Sequence, residues 1–269
     1  MSTEKELAYR YDLFIAPDWR ERFDEIVNAN VKLPTDGRIL EVNCGTGAFA
    51  IDLAEQMHGN GDVIGVETSE ELLEIARAKA QIKKCEDVTF ESANMFDLRF
   101  ADKDFDAVIG DASLLRPAQI ESLLKEMIRV AEFDAPVILK LITYGSFDEF
   151  FSIYWEALMN AGIVEAVWSE LEKLIQEKPS VEAIEKLAKK HNLKQVVSIT
   201  EKQVFEFENA KAFLESPIIK DIFLSRWLAI LPENQRQEIC ENIIAIIDRD
   251  RYHNAFDVSI KATVIKGVK

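Results

Sequence analysis

The segment Glu41-Val-Asn-Cys-Gly-Thr-Gly47 gathers an acid, an amide, a thiol and two alternating glycines in one short stretch. Glycines at 45 and 47 let the backbone turn sharply and come close to a ligand with no Cβ in the way. The strand-like run Arg38-Ile-Leu-Glu-Val42 leads into this loop, and a helical pattern from Phe49 to Met57 follows it. A helix starting just beyond such a loop aims unpaired N–H groups and a partial positive charge into it, which suits a polar, nucleotide-type ligand. Glu67 ends the next apolar run, Val63-Ile-Gly-Val66, 20 residues after Gly47. From that place a carboxylate accepts hydrogen bonds from both hydroxyls of a ribose. The glycines alone fit a tight structural turn equally well. Strand, loop, helix, strand and terminal acid in register point to a ligand crevice.

The elements that must position these residues alternate along the first half. Residues 18–30 carry Trp19, Phe23, Ile26 and Val27 at helical spacing, ahead of the first strand. Ser69 is placed to cap a helix running to about Lys84. Val88-Thr-Phe90 and Phe105-Asp-Ala-Val-Ile109 read as third and fourth strands, with Pro117 opening a helix through Val130 and Pro136–Ile142 as a fifth strand. This alternation predicts a parallel sheet covered on both faces. The second half changes character: residues 148–177 and 180–191 are predicted helical, 195–207 extended, and 209–248 helical with interruptions at Pro217 and Pro232. Residues 256–265 alternate with period two in part and predict a closing, antiparallel strand. No repeat or flexible linker parts the halves, so one domain is expected over 1–269, with a cofactor-binding half to 147 and a substrate-side half beyond.

The chain of 269 residues carries 32 Lys+Arg against 48 Asp+Glu, a net charge of −16, which disfavours nucleic acid and anionic membranes as partners. Three scattered cysteines, Cys44, Cys85 and Cys240, form neither a disulfide framework nor a zinc spacing and fit a reducing compartment. The first residues lack a signal-peptide pattern, and the most apolar stretch, Phe150–Trp168, is broken by Glu156, Asn160 and Glu165. A cytoplasmic protein is expected.

Two ligands compete for the loop. Gly45-x-Gly47-x-x-Ala50 satisfies the dinucleotide fingerprint, which would make the chain an NAD-dependent oxidoreductase. Against that stand the helix before the first strand, the acid Glu41 inside that strand, and the closing strand after a long helical excursion. The motifs taken together resemble the class I S-adenosylmethionine-dependent methyltransferases. That family's acid-and-glycine first motif is matched by Glu41 to Gly47, and its acid after the second strand by Glu67 in Val-Ile-Gly-Val-Glu67-Thr-Ser69. Asn94-Met-Phe-Asp97-Leu-Arg-Phe100 is similar to its third-strand motif, and Phe105-Asp-Ala-Val108 to its fourth strand. The likeness covers roughly residues 9–145 closely and the last strand loosely.

The resemblance implies a Rossmann-like α/β fold: a seven-stranded, mostly parallel sheet with an antiparallel last strand, helices on both faces, and helical insertions at about 148–193 and 209–250. It implies S-adenosyl-L-methionine as cofactor. Glu41 would hold the methionine ammonium, Gly45 and Gly47 would let the backbone pass, and Glu67 would take the ribose hydroxyls. Asn94 and Met95 would flank the adenine, Gly110 or Asp111 would line the methionine end, and Asn43, Cys44 and Thr68 complete the cofactor set. Two residues depart from the family pattern: Asn43 stands at the first glycine, where Asn is the residue that best tolerates positive φ, and Asn94 stands where an Asp is usual but keeps a carbonyl acceptor. These departures also raise the alternative of a non-catalytic binding protein on a degenerate fold.

A sulfonium methyl is already activated, so alignment of nucleophile, methyl and sulfur is the main task, worth on the order of 7–11 kcal/mol. A base is needed only for a protonated acceptor. Asp111, after the fourth strand, and His253, in Asp-Arg-Tyr-His-Asn, are the candidates, each competing with a plain capping or solvated role. His58 and His191 sit at predicted helix ends and read as structural. Asp111-Ala-Ser-Leu lacks the Asn/Asp-Pro-Pro-Tyr pattern of enzymes that methylate planar amino groups in nucleic acids or proteins, so a small-molecule acceptor is expected, without metal. The aromatic stretches Tyr144–Trp155 and Phe205–Trp227 fit a core more readily than a substrate pocket, and Tyr9 and Tyr11 stand where this family often has a lid.

Overall fold

The computed structural model describes residues 3–249 and 255–269. They fall into two compact units: Met1–Ile142, Ser180–Glu201 and Ala262–Lys269 form the first, and Thr143–Pro179 with Lys202–Lys261 the second.

The first unit begins with a helical rod, α1 (Glu4–Arg10), a π-helical stretch Tyr11–Arg20, and α2 (Glu21–Asn30). A helix was expected only from 18. A reciprocal capping box starts it earlier: the Thr3 hydroxyl accepts from the Glu6 amide at 3.2 Å, and the Glu6 carboxylate accepts from the Thr3 amide at 2.8 Å. Pro17 lies inside the π-helical stretch, whose wider turn tolerates the missing donor. Tyr9 and Tyr11 therefore lie within the rod, not ahead of it.

The sheet follows as β1 (Gly37–Val42), α3 (Ala48–Met57), β2 (Gly61–Glu67), α4 (Glu70–Lys83) and β3 (Val88–Ser92). β4 (Ala107–Asp111), α5 (Pro117–Val130) and β5 (Pro136–Ile142) complete the parallel part, and α8 (Val181–Lys190) also belongs to this unit. The strand order is β3-β2-β1-β4-β5-β7-β6, with β6 spanning Lys194–Phe207 and β7 Phe256–Val268. β1 pairs in parallel with both β2 and β4, and β5 pairs antiparallel with β7 from Ala262 onward. The seven-stranded fold expected from sequence is thus observed. Because β2 and β4 flank β1 on opposite sides, the chain leaves the carboxyl ends of β1 and β4 in divergent directions, which opens a crevice there.

One boundary differs in a way that affects the site. The fourth strand was expected at 105–109 and runs from Ala107 to Asp111. Phe105 is fully buried and stands edge-on to Phe100, 5.0 Å between ring centres, so its aromatic character serves packing before the ladder starts. Gly110 and Asp111 consequently lie inside the strand rather than after it.

In the second unit the expected helix 148–177 is two, α6 (Asp148–Asn160) and α7 (Val164–Ile175), parted at Gly162 with φ 69°. Then come α9 (Ala210–Glu215), a π-helical turn Ile218–Phe223, α10 (Leu224–Leu228) and α11 (Arg236–Arg249). Trp227 anchors this unit: Phe150 stacks on it at 4.2 Å, Phe223 at 5.5 Å and Phe147 edge-on at 5.1 Å, and its carbonyl accepts the Tyr154 hydroxyl at 2.9 Å. Most rings of the two aromatic stretches are core, as their helical spacing favoured, whereas Tyr144 and Trp155 are exposed. Among the described residues no helix is long and apolar enough to cross a membrane.

Candidate functional site

The loop after β1 is built on three left-handed residues, Asn43 at φ 62°, Gly45 at 59° and Gly47 at 74°. A Cβ at Gly47 would lie 2.5 Å from the Phe90 ring, so the last position accepts only glycine. Asn43 adopts the left-handed geometry in place of the family glycine, and its Nδ2 donates to the Asp111 carbonyl at 2.7 Å. Its departure from the motif therefore keeps the turn and adds a tie to the end of β4. The Glu67 carboxylate accepts from the Gly45 amide at 3.1 Å, from the Thr68 amide and hydroxyl at 2.7 and 3.0 Å, and from the Ser69 amide at 3.2 Å. These bonds join the loops after β1 and β2.

Register places three charged side chains on one face of the sheet. Glu41 of β1 is opposite Ile109 of β4, Asp111 lies two residues further along β4, and Lys140 of β5 is opposite Asp111. All three are buried, Glu41 at 1%, Asp111 at 2% and Lys140 at 0% exposure. Lys140 Nζ lies 2.6 Å from Asp24 Oδ1 in α2, 3.4 Å from Glu41 Oε1 and 3.8 Å from Asp111 Oδ2, and 4.7 Å from the centre of the Phe49 ring. Arg20, at the end of the π-helical stretch, adds the second cation. Its Nη2 is 3.0 Å from Asp111 Oδ2 and donates to the Asn43 carbonyl, and its Nη1 donates to the Tyr11 hydroxyl at 2.9 Å. Asp111 Oδ1 accepts from the Ser113 amide at 2.8 Å, and the Ser113 hydroxyl accepts from Trp19 Nε1 at 2.9 Å.

This group holds two cations and three carboxylates, so one negative charge is in excess. The Glu41 Oε2 atom is buried and has no hydrogen-bond partner. Burial pushes the Glu41 carboxyl up, Lys140 and Arg20 pull it back, and it titrates at about 7. Burial also pushes Asp24 up against the pull of Lys140. Asp111 is the exception: Arg20, Lys140 and the Ser113 bonds outweigh its burial and hold it below the ordinary aspartate value. The Cys44 thiol, buried beside Glu41 and Glu67, is raised well above its usual value.

A cavity of about 40 Å³ reaches Arg20, Asp24, Glu41, Cys44, Thr46 and Phe49, room for a few waters. A second, of about 520 Å³, opens beyond β2 and β3 and is lined by Thr68, Ser92, Ala93, Asn94, Asp97 and Arg99.

The structure thus brings Glu41, Asn43, Cys44, Gly45, Gly47, Glu67 and Asp111 together, and places Thr68 and Asn94 on the larger cavity. The Asn94 Oδ1 already accepts from the Phe96 amide at 3.0 Å. Met95 is buried in the core cluster, and a Cβ at Gly110 would sit 2.5 Å from the Met127 sulfur, so that glycine admits α5. His253 lies outside the described residues. Sequence reasoning missed Arg20, Asp24 and Lys140. The signal for two of them was a charge on an apolar face: Asp24 beside Phe23, Ile26 and Val27, and Lys140 between Leu139 and Leu141.

A doubly wound sheet with a reversed β7, a left-handed glycine loop and acids at the ends of β1 and β2 defines a site for a nucleoside-bearing ligand. Comparison with known proteins agrees. The family described as "Methyltransferase domain" matches residues 34–209, and the chain belongs to that family. Demethylmenaquinone methyltransferases of Lactococcus lactis subsp. lactis (strain IL1403) and Symbiobacterium thermophilum (strain DSM 24528 / JCM 14929 / IAM 14863 / T) are 28% and 31% identical to it over 162 and 167 residues. The matches take in 56% and 57% of this chain and 64% of each relative, less than two thirds of their length. The solved structure of Haemonchus contortus phosphoethanolamine N-methyltransferase 2, in complex with phosphomonomethylethanolamine and S-adenosylhomocysteine, shares the fold with a TM-score of 0.57 at 17% identity, covering 99% of this chain and 58% of that one.

Proposed function

We propose that this chain transfers a methyl group from S-adenosylmethionine to a small-molecule acceptor. The observation that carries the reading is the Glu41 Oε2 atom, a buried carboxylate oxygen without a donor beside a loop of three left-handed residues. An orphaned acceptor in a group with one surplus negative charge fits the ammonium of the donor's amino-acid end. Glu67, with one donor on Oε2, keeps acceptor capacity for ribose hydroxyls, and the cavity at Thr68 and Asn94 has room for the base. When bound, the donor supplies an activated sulfonium methyl. The chain's own residues bind and orient it.

Asp111 serves this reading as an anchor: ion-paired with Arg20 and held at low proton affinity, it is a weak proton acceptor. The acidic composition and the free cysteines support a small-molecule acceptor, not nucleic acid, and a reducing, cytoplasmic setting. Residues 143–179 and 202–261 would carry acceptor specificity. The dinucleotide reading draws no support from the sheet, whose seventh strand is inserted antiparallel between β5 and β6. Calorimetry with S-adenosylhomocysteine tests the proposal, with NADH as the control ligand. Binding in the micromolar range is expected; no heat at millimolar ligand overturns it. Labelled donor offered with a demethylmenaquinone, the compound in the names of the two relatives, is the first acceptor screen.

A further inference from the structure

We propose that Lys140 is a positioning residue for the methyl donor: its ammonium, anchored by Asp24, holds Glu41 Oε1 and offsets the carboxylate's charge, leaving Oε2 for the ligand's cationic end. The inference rests on the donor reading above and adds Lys140 and Asp24, which lie outside every motif that supports it.

A lysine at the centre of β5 is costly, since the strand is otherwise apolar and Lys140 is wholly buried between β4 and β7. Such a charge persists only with close partners, and its charged partners are all carboxylates. The 2.6 Å bond to Asp24 Oδ1 fixes the ammonium, and the looser 3.4 Å approach is to Glu41 Oε1. Lys140 therefore holds one oxygen of Glu41 and leaves the other without a donor. Two functions follow from one contact: orientation of the carboxylate, and compensation of its charge.

The groups facing Glu41 are Lys140 from β5, Arg20 from the π-helical stretch, Asp24 from α2, Asp111 from β4 and Cys44 from the loop. Without Lys140, Glu41 would be buried with two other carboxylates and a single cation, and would keep its proton through the neutral range. A protonated carboxyl has no charge to offer an ammonium. Without Asp24, the surplus negative charge disappears and Glu41 ionises more easily. Lys140 and Asp24 bond to each other, yet their removal must move Glu41 in opposite directions. General loosening of the core cannot produce that pattern.

The test uses the full chain with Lys140→Met, Asp24→Asn and the double variant. Carboxyl-carbon NMR of the ligand-free protein, with the Glu41 signal assigned by its loss in Glu41→Gln, reads the titration midpoint. Calorimetry with S-adenosylhomocysteine from about pH 5.5 to 8.5 reads affinity against ionisation. The wild-type midpoint is expected near 7. In Lys140→Met it rises by about one unit or more, and affinity at pH 7 falls about tenfold and recovers toward alkaline pH. In Asp24→Asn the midpoint falls, and in the double variant it lies between the two. An unmoved midpoint in Lys140→Met, or a rise in Asp24→Asn, overturns the proposal. If Lys140→Met does not fold, the Asp24→Asn shift decides alone. If the wild type binds no S-adenosylhomocysteine, the donor reading fails, while the ligand-free midpoints still decide whether Lys140 controls Glu41.

Discussion

Replacing Glu41 by Gln preserves the side chain's shape and removes one carboxylate from a buried group that holds three of them with two cations. Its consequence for stability follows from the titration. Glu41 titrates at about 7 in the folded protein against 4.5 for an unperturbed glutamate. An acid whose folded value is raised binds its proton more tightly in the native state, so its contribution is fully present below the unfolded value and is lost as pH rises through the folded one. At pH 5 the native carboxyl is protonated and the unfolded one mostly ionised; at pH 8 both are ionised. Integrating between these limits gives a loss of about 2–3 kcal/mol as pH rises.

Urea unfolding of the wild type and Glu41→Gln at pH 5, 6, 7 and 8 measures this directly. Other groups titrate in both proteins, so the quantity of interest is the wild-type stability minus that of the variant. It is expected to fall by about 2–3 kcal/mol across the range, most steeply between pH 5 and 7. Asp24, also raised, loses a like-charged neighbour in the variant, which flattens the variant's slope further and reinforces the sign. At pH 8 the glutamine protein, with two cations against two carboxylates, should match or exceed the wild type. A difference that stays constant within about 0.5 kcal/mol, or that grows with pH, would refute a buried and surplus Glu41 charge.

Three further outcomes are expected. Gly47→Ala should cost about 2–5 kcal/mol in the same assay, combining the left-handed strain with the collision against Phe90; a loss below about 1 kcal/mol would show the loop can relax. Asn43→Gly keeps the left-handed turn and removes the bond to Asp111, so a loss of about 1 kcal/mol is expected, whereas Asn43→Val should lose clearly more; equal losses would mean the backbone geometry does not matter. Trp227→Ala should cost about 3–5 kcal/mol and collapse the near-ultraviolet circular dichroism of the second unit, since five rings pack against its indole. Retention of that signal would place the aromatic core elsewhere.

What was legible in the sequence was whatever is written locally. The acid, the left-handed positions and the spacing to Glu67 all fall within one strand-loop-helix-strand unit, so their chemistry shows in a short window. The Ser69 cap is local as well, its hydroxyl accepting from the Leu72 amide. Asp24 and Lys140 meet Glu41 only through the fold, across 17 and 99 residues, and nothing in a window around either names its partner. Each did carry a trace, a charge where the surrounding pattern demands an apolar side chain, and such a charge must find a counter-ion. The part of the N-terminal rod before residue 18 was missed, although the Thr3–Glu6 box marks its start and the π-helical stretch carries it through Pro17. The fourth strand was misplaced by two residues because Phe105 has strong strand propensity and spends it on packing.

The proton affinities around the loop bear on how a methyl transfer could run there. Asp111 is too weak a base, because Arg20 and Lys140 hold it ionised. Burial outweighs Arg20 and pushes the Tyr11 hydroxyl up to about 12, and Cys44 is raised well above the ordinary thiol range, so neither forms an anion near neutrality. Glu41 alone among these has an affinity near neutral, and its one free oxygen is the position proposed above for the donor's ammonium. On the proposed reading the described residues at this loop therefore serve binding and orientation, with no proton acceptor to spare. An acceptor that reaches the methyl group already deprotonated needs none, since alignment alone is worth on the order of 7–11 kcal/mol. In a pH–rate profile this predicts a single rising limb near 7, from Glu41 and donor binding, appearing in kcat/KM for the donor and vanishing from kcat at saturation. A second limb that persists in kcat at saturating donor would show a base outside this group.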